Sequence, residues 1–439
     1  MAYHPDFLAV PVPRYTSYPT AAEFHDGVGA SEQTKGLAAI GEHEPVSLYL
    51  HVPFCEKICF YCGCNTAAAN RAARMEAYLC RLEDEIEMVA RTLEGRGRVV
   101  RVAFGGGSPN ALSAAQFRRV CDRVTDALGG DRASWSIEVD PRSLADDFVE
   151  TVGEVGFTRA SLGVQTFEPG IQRAIGRVQP LETIERAVRQ LRDAGVTSLN
   201  MDMMYGLPGQ GVEGLLDGLE RAVELGADRL AVFGYAHVPH LVPRQRKIDG
   251  AALPDAQERF AMAEAARARL VAADYLAIGF DHFARAADPM GWAVQAGHVR
   301  RNFQGYTDDP CETLIGMGAS SISRLPGALV QNDKNHGRYA TRVANGLMPA
   351  TRGVALSPLE RQRGRIIERL LCQGDASLSA LPDRDSILAD LASFAERGLC
   401  TIDADRVRIG EAGWPYARAM AARLDPWRKA SQRVFSSAV

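Results

Sequence analysis

The sequence holds no run of about 18 uninterrupted apolar residues, the least a membrane-spanning helix needs. Its opening, MAYHPDFLAV, lacks the basic start of a secretory signal. Both absences predict a soluble, cytoplasmic chain. Lysine is scarce as well, with Lys35, Lys57, Lys247, Lys334 and Lys429 the only five against 45 arginines. A bias this large reflects codon usage more simply than 45 functional guanidiniums, so identity alone picks out no arginine as an anion binder. Acidic residues slightly outnumber basic ones, for a formal net charge of −4 over 439 residues. No global basic field therefore points to nucleic acid or to an anionic membrane. The 46% hydrophobic and 24% charged content is that of an ordinary globular chain, which excludes a disordered chain, a collagen-like repeat or a disulfide-dense mini-protein. Of nine cysteines, four crowd into ten residues as Cys55, Cys59, Cys62 and Cys64. In a reducing compartment that clustering reads as metal ligation, since disulfides would not persist there.

Between residues 46 and 275, short β-branched or apolar runs alternate with helical patterns. The predicted strands are 46–52, 99–104, 134–139, 159–164, 197–205 and 229–235. Helical patterns follow them over 71–95, 112–128, 143–155, 182–194, 212–225 and 255–273. Repeated parallel crossovers predict an α/β fold, a partial (β/α)6 barrel with its chemistry at the C-terminal ends of the strands. Four regions are expected: an N-terminal arm (1–45), the partial barrel (46–275), a covering segment (276–355) and a C-terminal domain (356–439). The arm's PVPRYTSYPT reads as irregular. The covering segment, rich in Gly and aromatics, fits no regular repeat. The C-terminal domain opens on Ser357-Pro358-Leu359-Glu360, a capping box with Pro at the first helical position. A second helix near 384–397 and the hairpin-like GLCTIDADRVRIGEAG complete a winged-helix-like pattern. Residues 357–439 carry 13 basic and 11 acidic side chains, too even a balance to argue for DNA.

The most specific feature is Cys55-Glu56-Lys57-Ile58-Cys59-Phe60-Tyr61-Cys62, a C-x3-C-x2-C loop that begins where Pro53 ends the first strand. Three thiolates this close suit three irons of a [4Fe-4S] cube, with the fourth iron left to another molecule. A zinc site with Cys64 as fourth ligand is the alternative. A glycine run, Phe104-Gly105-Gly106-Gly107-Ser108-Pro109, follows the second strand, where its backbone can approach a ligand closely or simply turn. It is not a phosphate loop, because no Gly-Lys-Ser/Thr follows. Polar residues end otherwise apolar strands at Glu138, Gln165 and Asp202, on three different βα units, which suggests a site at the mouth of the barrel.

The Cys55 to Cys62 loop resembles the cluster loop of the radical S-adenosylmethionine (SAM) superfamily. Within it, Tyr49-Leu50-His51-Val52-Pro53-Phe54-Cys55 and Cys62-Gly63-Cys64-Asn65 are similar to the oxygen-independent coproporphyrinogen III oxidases of the HemN type. RYTSYPTA (14–21), IEVDPR (137–142), LGVQ (162–165), YGLP (205–208), YAHVP (235–239), QRKI (245–248), DHFAR (281–285) and RNFQGYT (301–307) follow in that family's order. The resemblance implies a [4Fe-4S] cluster on Cys55, Cys59 and Cys62, with SAM chelating the fourth iron and cleaved to a 5'-deoxyadenosyl radical. It implies two SAM molecules. Tyr49, Glu138 and Ile322 would contact the first, and Gly106, Gly107 and Ser108 its methionine part. Gln165, Arg177, Asp202 and Ala236 would line the second, bordered by Tyr61, Gly107 and Ser108.

Ser108 and Asn110 depart from the family's usual GGGTPT, though serine keeps the hydroxyl. Thr166 and Gly176 stand where the family commonly has Asp and Asn, beside residues of the second SAM pocket. His51 is a further candidate for contact with the substrate, against a plain packing role. The implied reaction is oxidative decarboxylation of the ring A and B propionates of coproporphyrinogen III to vinyls, giving protoporphyrinogen IX. Its partners would be that substrate, an electron donor and an electron acceptor. Arg14, Arg285 and Arg301 are candidates for the substrate's carboxylates, and residues 1–24 for a lid over the barrel. Two alternatives remain at this stage: a haem-degrading methyltransferase using the same radical, and a haem-binding chaperone.

Overall fold

The computed structural model describes residues 2–430. Six strands, β1 (Pro45–Val52), β2 (Arg98–Gly106), β3 (Ser134–Val139), β4 (Phe157–Gln165), β5 (Ser198–Tyr205) and β6 (Arg229–Gly234), pair in that order, all parallel. Helices α1 (Ala72–Leu93), α2 (Ala114–Leu128), α3 (Asp146–Val155), α4 (Leu181–Asp193), α5 (Val212–Glu224) and α6 (Ala256–Ala272) connect or follow them. Every strand and helix predicted for the barrel is present, most within one or two residues of its expected ends. β1 is buried from Val46 onward, as its continuous apolar run requires of a strand covered on both faces. β3 alternates instead. Trp135, Ile137 and Val139 join the main core, while Ser136 and Glu138 line the barrel interior. Local chemistry sets the helix ends: Ser113 and Gln116 form a capping box on α2, and Gly129 closes it in the left-handed conformation.

Residues 276–355 differ from the expected irregular cover. They add β7 (Tyr275–Ile278) and β8 (His282–Arg285) beyond β6, then β9 (Thr313–Met317), β10 (Ile322–Leu325), β11 (Ala328–Asn332) and β12 (Ala350–Ala355) beyond β1. The result is a twelve-stranded sheet in which β9 runs parallel to β1 and the other additions are antiparallel. These strands are four to six residues long, too short for an alternating pattern to stand out from the surrounding Gly and aromatic residues.

The C-terminal unit carries α7 (Pro358–Gln373), α8 (Arg384–Glu396) and a three-stranded sheet over Asp375–Ser377, Cys400–Asp403 and Arg406–Ile409. Ser357 and Glu360 form the expected capping box. The arm is packed against this unit: Phe7, Leu8, Val12, Tyr15 and Tyr18 are buried in its core, and Phe7 stacks on Phe394 at 3.9 Å. The Tyr15 hydroxyl donates to Asp425 at 3.0 Å. The arm also reaches the barrel, where Arg14 Nη2 donates to the Gly234 carbonyl at the C-terminal end of β6 (3.0 Å).

Inside the N-terminal half of the barrel lies a polar layer. Arg101, Arg159 and Arg229, from β2, β4 and β6, converge on acidic residues brought in by the segment after β8. Asp308 pairs with Arg101 at 2.9 Å and Arg159 at 2.6 Å, and Asp288 with Arg229 at 2.6 Å and the Ser198 hydroxyl at 2.5 Å. Burial opposes ionisation of Asp308, but the two guanidiniums win and hold its carboxyl far below the ordinary carboxylate range.

Candidate active site

The cysteine loop leaves β1 at the barrel mouth. Phe54–Cys55 pairs with Ala67–Ala68 as a two-residue parallel ladder, which pins both ends of the loop. Phe60 is tied by its backbone N–H to the Ile175 carbonyl (2.9 Å). The Cys55 thiol lies 3.2 Å from the Thr66 hydroxyl. Cys59 is buried, and its sulfur accepts from Arg177 Nη1 at 3.3 Å and Arg142 Nη2 at 3.4 Å. Cys64 is exposed, and its backbone N–H donates to Cys62 Sγ at 3.4 Å. Contacts from Cys64 hold the Cys62 thiol down to about 6, which favours a thiolate at neutral pH. Among the described residues no three Cys, His, Asp or Glu side chains gather closely enough for a single metal ion. A cube bound through three different irons asks for a wider spread of thiolates than one ion does.

The glycine run is what seats this loop. Gly107 N–H donates to Val52 O (2.9 Å) and Ser108 N–H to Phe54 O (2.7 Å). A Cβ at Gly107 would fall 2.5 Å from Phe54 O, and one at Gly106 would fall 2.3 Å from the His51 ring, at a φ of +106° that L side chains rarely adopt. The Ser108 hydroxyl is buried and turned to Asn110 Oδ1 at 2.6 Å, and Asn110 in turn fixes the Asp140 backbone. The departure at Ser108 and Asn110 is thus an internal pair.

His51 is buried between Tyr49 and the cysteine loop. Its Nε2 lies 3.2 Å from the Asn65 carbonyl, which only accepts, so Nε2 carries the proton and Nδ1 accepts from the Tyr49 hydroxyl at 3.2 Å. Burial holds the imidazole down to about 4, so it stays neutral. Tyr49 meets Phe303 edge to face at 4.7 Å.

Glu138 and Asp202 line one interior cavity of about 290 Å³ with Ser161 and Asn200, and the layer of Arg101, Arg159, Arg229 and Asp308 lines its other end. The Gly106 N–H donates to Glu138 Oε2 at 3.2 Å, while Ser161 and Asn200 donate to Asp202 at 3.1 and 2.8 Å. Among the described residues no arginine pairs with either carboxyl. Burial, with Asp202 beside it, pushes Glu138 up to about 7, and burial raises Asp202 as well. Arg177 spans the mouth, donating to the Gly163 carbonyl at 2.5 Å, to Asp140 and to Cys59. Gln165 ends β4 at a φ of +70°. The two nearby departures have local roles. The Thr166 hydroxyl accepts from Glu168 N–H at 3.2 Å, the turn-closing bond an Asp would make. Gly176 adopts φ +66°, a conformation Asn also tolerates, and any side chain there would press on Phe60.

Tyr61 and Ala236 are linked through Gln245, whose Nε2 donates to both carbonyls at 2.9 and 3.1 Å. Ile322 lines a smaller cavity with Thr16 and Phe303, the ring that meets Tyr49. Of the arginine candidates, Arg301 holds the arm, donating to Tyr15 O and Arg14 O, while its buried Nη1 has no partner among the described residues, and Arg285 stacks on Tyr275 at 4.6 Å. Asp140, Arg142 and Gln245 carry roles that no spacing signals, although IEVDPR and QRKI contain them. Arg142 closes on Asp140 at 2.6 Å and also reaches the Lys57 carbonyl, locking the cysteine loop to the end of β3.

The radical SAM superfamily matches residues 49–222. An oxygen-independent coproporphyrinogen III oxidase of Paracoccus denitrificans is 40% identical over 96% of this chain and 95% of its own length. The chain belongs to the oxygen-independent coproporphyrinogen III oxidase family. A further member, from Pseudomonas aeruginosa, is 36% identical over 94% of this chain and 93% of its own length. Among solved structures, coproporphyrinogen III oxidase (HemN) from Escherichia coli, described as a radical SAM enzyme, superposes with a TM-score of 0.88 at 36% identity, covering 94% of this chain and 97% of that one. Membership makes the chain a radical SAM oxidoreductase and implies a [4Fe-4S] cluster and SAM. The residues fit the cluster: three thiols share one pinned loop, and two guanidiniums face the buried sulfur of Cys59, a setting that favours anionic ligands.

Proposed function

We propose that this chain oxidatively decarboxylates the ring A and B propionates of coproporphyrinogen III to vinyls, giving protoporphyrinogen IX. What carries the reading is the full-length similarity to enzymes named for that substrate, arm and C-terminal unit included. Cys55, Cys59 and Cys62 would hold a [4Fe-4S] cluster, which would supply the electron for reductive cleavage of SAM. Each propionate then loses a hydrogen atom from its β-carbon, one electron and CO2, so an electron acceptor is required alongside the donor that reduces the cluster. Glu138, held by the Gly106 N–H and by Gln304 but by no arginine among the described residues, would accept hydrogen bonds from the ribose of one SAM, with Tyr49 and Ile322 on the same molecule and Gly106, Gly107 and Ser108 along its methionine part. Gln165, Arg177, Asp202 and Ala236, with Tyr61 beside them, take a second SAM. Intact turns at Thr166 and Gly176 support an unaltered second pocket. Neutral His51 fixes the Tyr49 hydroxyl and the Asn65 carbonyl, and so orients the loop. The arm excludes water from the mouth.

No helix among the described residues is long and apolar enough to cross a membrane, and we place the reaction in the cytoplasm. Anaerobic incubation of cluster-replete protein with SAM, reductant and coproporphyrinogen III tests the reading by mass. Masses lower by one and then two units of CO2 plus two hydrogens are expected. SAM cleavage with no change in the tetrapyrrole would refute it.

A further inference from the structure

Beside the ends of β5 and β6 lies a second cavity, of about 40 Å³, whose walls come from three regions of the chain. The arm supplies Arg14, α6 supplies Arg259 and Arg267, and the C-terminal unit supplies Arg418, while Tyr205, Gly234 and Ala236 form the barrel side. Two of the four guanidiniums have ordinary duties: Arg14 donates to the Gly234 carbonyl and Arg267 to the Gly279 carbonyl at 3.3 Å. The other two are idle. Arg418 is 7% exposed, stacks on Phe280 at 5.1 Å, and has no hydrogen bond or ion pair among the described residues. Arg259 has a buried Nε with no partner and lies against the backbone of Gly206 and Gly234, where a Cβ would fall 3.3 and 3.2 Å from its guanidinium. Buried guanidinium nitrogens left without an acceptor are costly, so a chain that turns Arg418 and the buried Nε of Arg259 to one cavity has an acceptor to offer them. Asp281 and Glu264 also line the cavity, but the Asp281 carboxylate is engaged by the neighbouring His282 at 2.7 Å. Four positive groups thus face two negative ones, around a space about the size of one small polar group.

We propose that this cavity is a carboxylate-binding site in which Arg259 and Arg418 grip a single carboxylate that enters past Gly234 and Ala236. The volume admits a carboxylate head and excludes a pyrrole ring, so the rest of such a ligand lies in the barrel mouth. Taking the source to be a substrate propionate rests on the function proposed above; the methionine carboxylate of a SAM molecule at Ala236 offers the same chemistry. A bound carboxylate joins arm, α6 and C-terminal unit at one point.

The test uses the full-length, cluster-replete protein, with Arg259→Met and Arg418→Met as variants and Arg418→Lys as the conservative control. Sodium propionate, exchanged for chloride at constant ionic strength, should raise the melting temperature of the parent protein and of Arg418→Lys. It should leave both methionine variants unmoved. Arg259 is only half-buried, so its variant keeps the test open if Arg418→Met fails to fold. Coproporphyrin III should bind each methionine variant about 10- to 100-fold more weakly than the parent, the loss of one charged hydrogen-bonding group. Its tetramethyl ester should bind all of them alike. Were S-adenosylhomocysteine to lose the affinity instead, the carboxylate would be assigned to SAM. Propionate stabilisation absent from the parent, or fully retained in both methionine variants, overturns the site. Propionate stabilisation in a parent that neither binds nor converts the tetrapyrrole leaves the site standing and removes the functional reading.

Discussion

The two ends of the barrel handle buried charge in opposite ways. At the N-terminal end, Asp308 and Asp288 each close on an arginine within 3 Å, and the Asp308 carboxyl is held far below its ordinary range. Toward the mouth, Glu138 and Asp202 line the same cavity as those arginines but are not paired with them: they accept from backbone, hydroxyl and amide groups, and both are raised. One end spends its ions on one another; the other keeps its carboxyls available. Groups held in an unfavourable state by burial mark the places where a ligand completes the site.

The largest effect that would sharpen this contrast is at the mouth. Replacing Cys55, Cys59 or Cys62 with Ala should abolish SAM cleavage and lower bound iron, while the melting curve of the apoprotein stays near that of the parent. Asp308→Asn attacks the other end. It leaves the half-buried Arg101 and Arg159 against a neutral side chain, and a loss of about 2 to 3 kcal/mol, below that of a fully buried broken pair, is expected by denaturant titration. If Asp308→Asn instead reduced SAM cleavage per folded molecule without lowering stability, the division between the two ends would fail.

Glu138→Gln should cut SAM cleavage about 10- to 100-fold, as expected for a charged hydrogen bond, whereas Asp202→Asn should act mainly on substrate-dependent turnover. Glu138 also has a pH signature. Its folded-state value, near 7, lies above the unfolded one, so its burial costs nothing below about pH 4.5 and its full amount above pH 7. Without SAM, Glu138→Gln should therefore be more stable than the parent at pH 8, by about 1 to 3 kcal/mol, and the gap should close toward pH 5. Asp308 has the opposite sign: its contribution is present above about pH 4 and is lost as pH falls. The smallest effect is expected of Cys64→Ala, which should keep its iron and sulfide. Loss of both there, with retention in Cys62→Ala, would reassign the third ligand.

The barrel was legible because short apolar or β-branched runs alternate with helical patterns, and capping residues mark helix starts in the barrel at Ser113 and in the C-terminal unit at Ser357. The cysteine loop was legible from its spacing alone. The edge strands β7 to β12 were not, since a strand such as Ile322–Leu325 gains its identity from pairing across the chain. Arginine roles were hidden for a different reason: with 45 of them, nothing local distinguishes Arg177, which touches Cys59, or Arg159, which pairs with Asp308, from any surface residue. Within residues 1–24, Phe7, Tyr15 and Tyr18 are core for the C-terminal unit and Phe24 packs on Leu329 and Val354, so removing the arm is expected to destabilise the structure there as well as open the mouth.

That seam also sets a timetable. Phe7 waits for Phe394 and Tyr15 for Asp425, a partner 410 residues downstream. At about 5 to 20 residues per second the ribosome takes roughly 20 to 80 seconds to deliver them. Throughout that interval the first two dozen residues emerge, apolar and without their neighbours, while the barrel behind them can already assemble. The earliest part of the chain to be made is therefore the last to be buried. Chains stalled before residue 390 should be cut by protease near Val10, and chains carried past residue 425 should resist; equal cleavage of both would show that the arm finds shelter earlier.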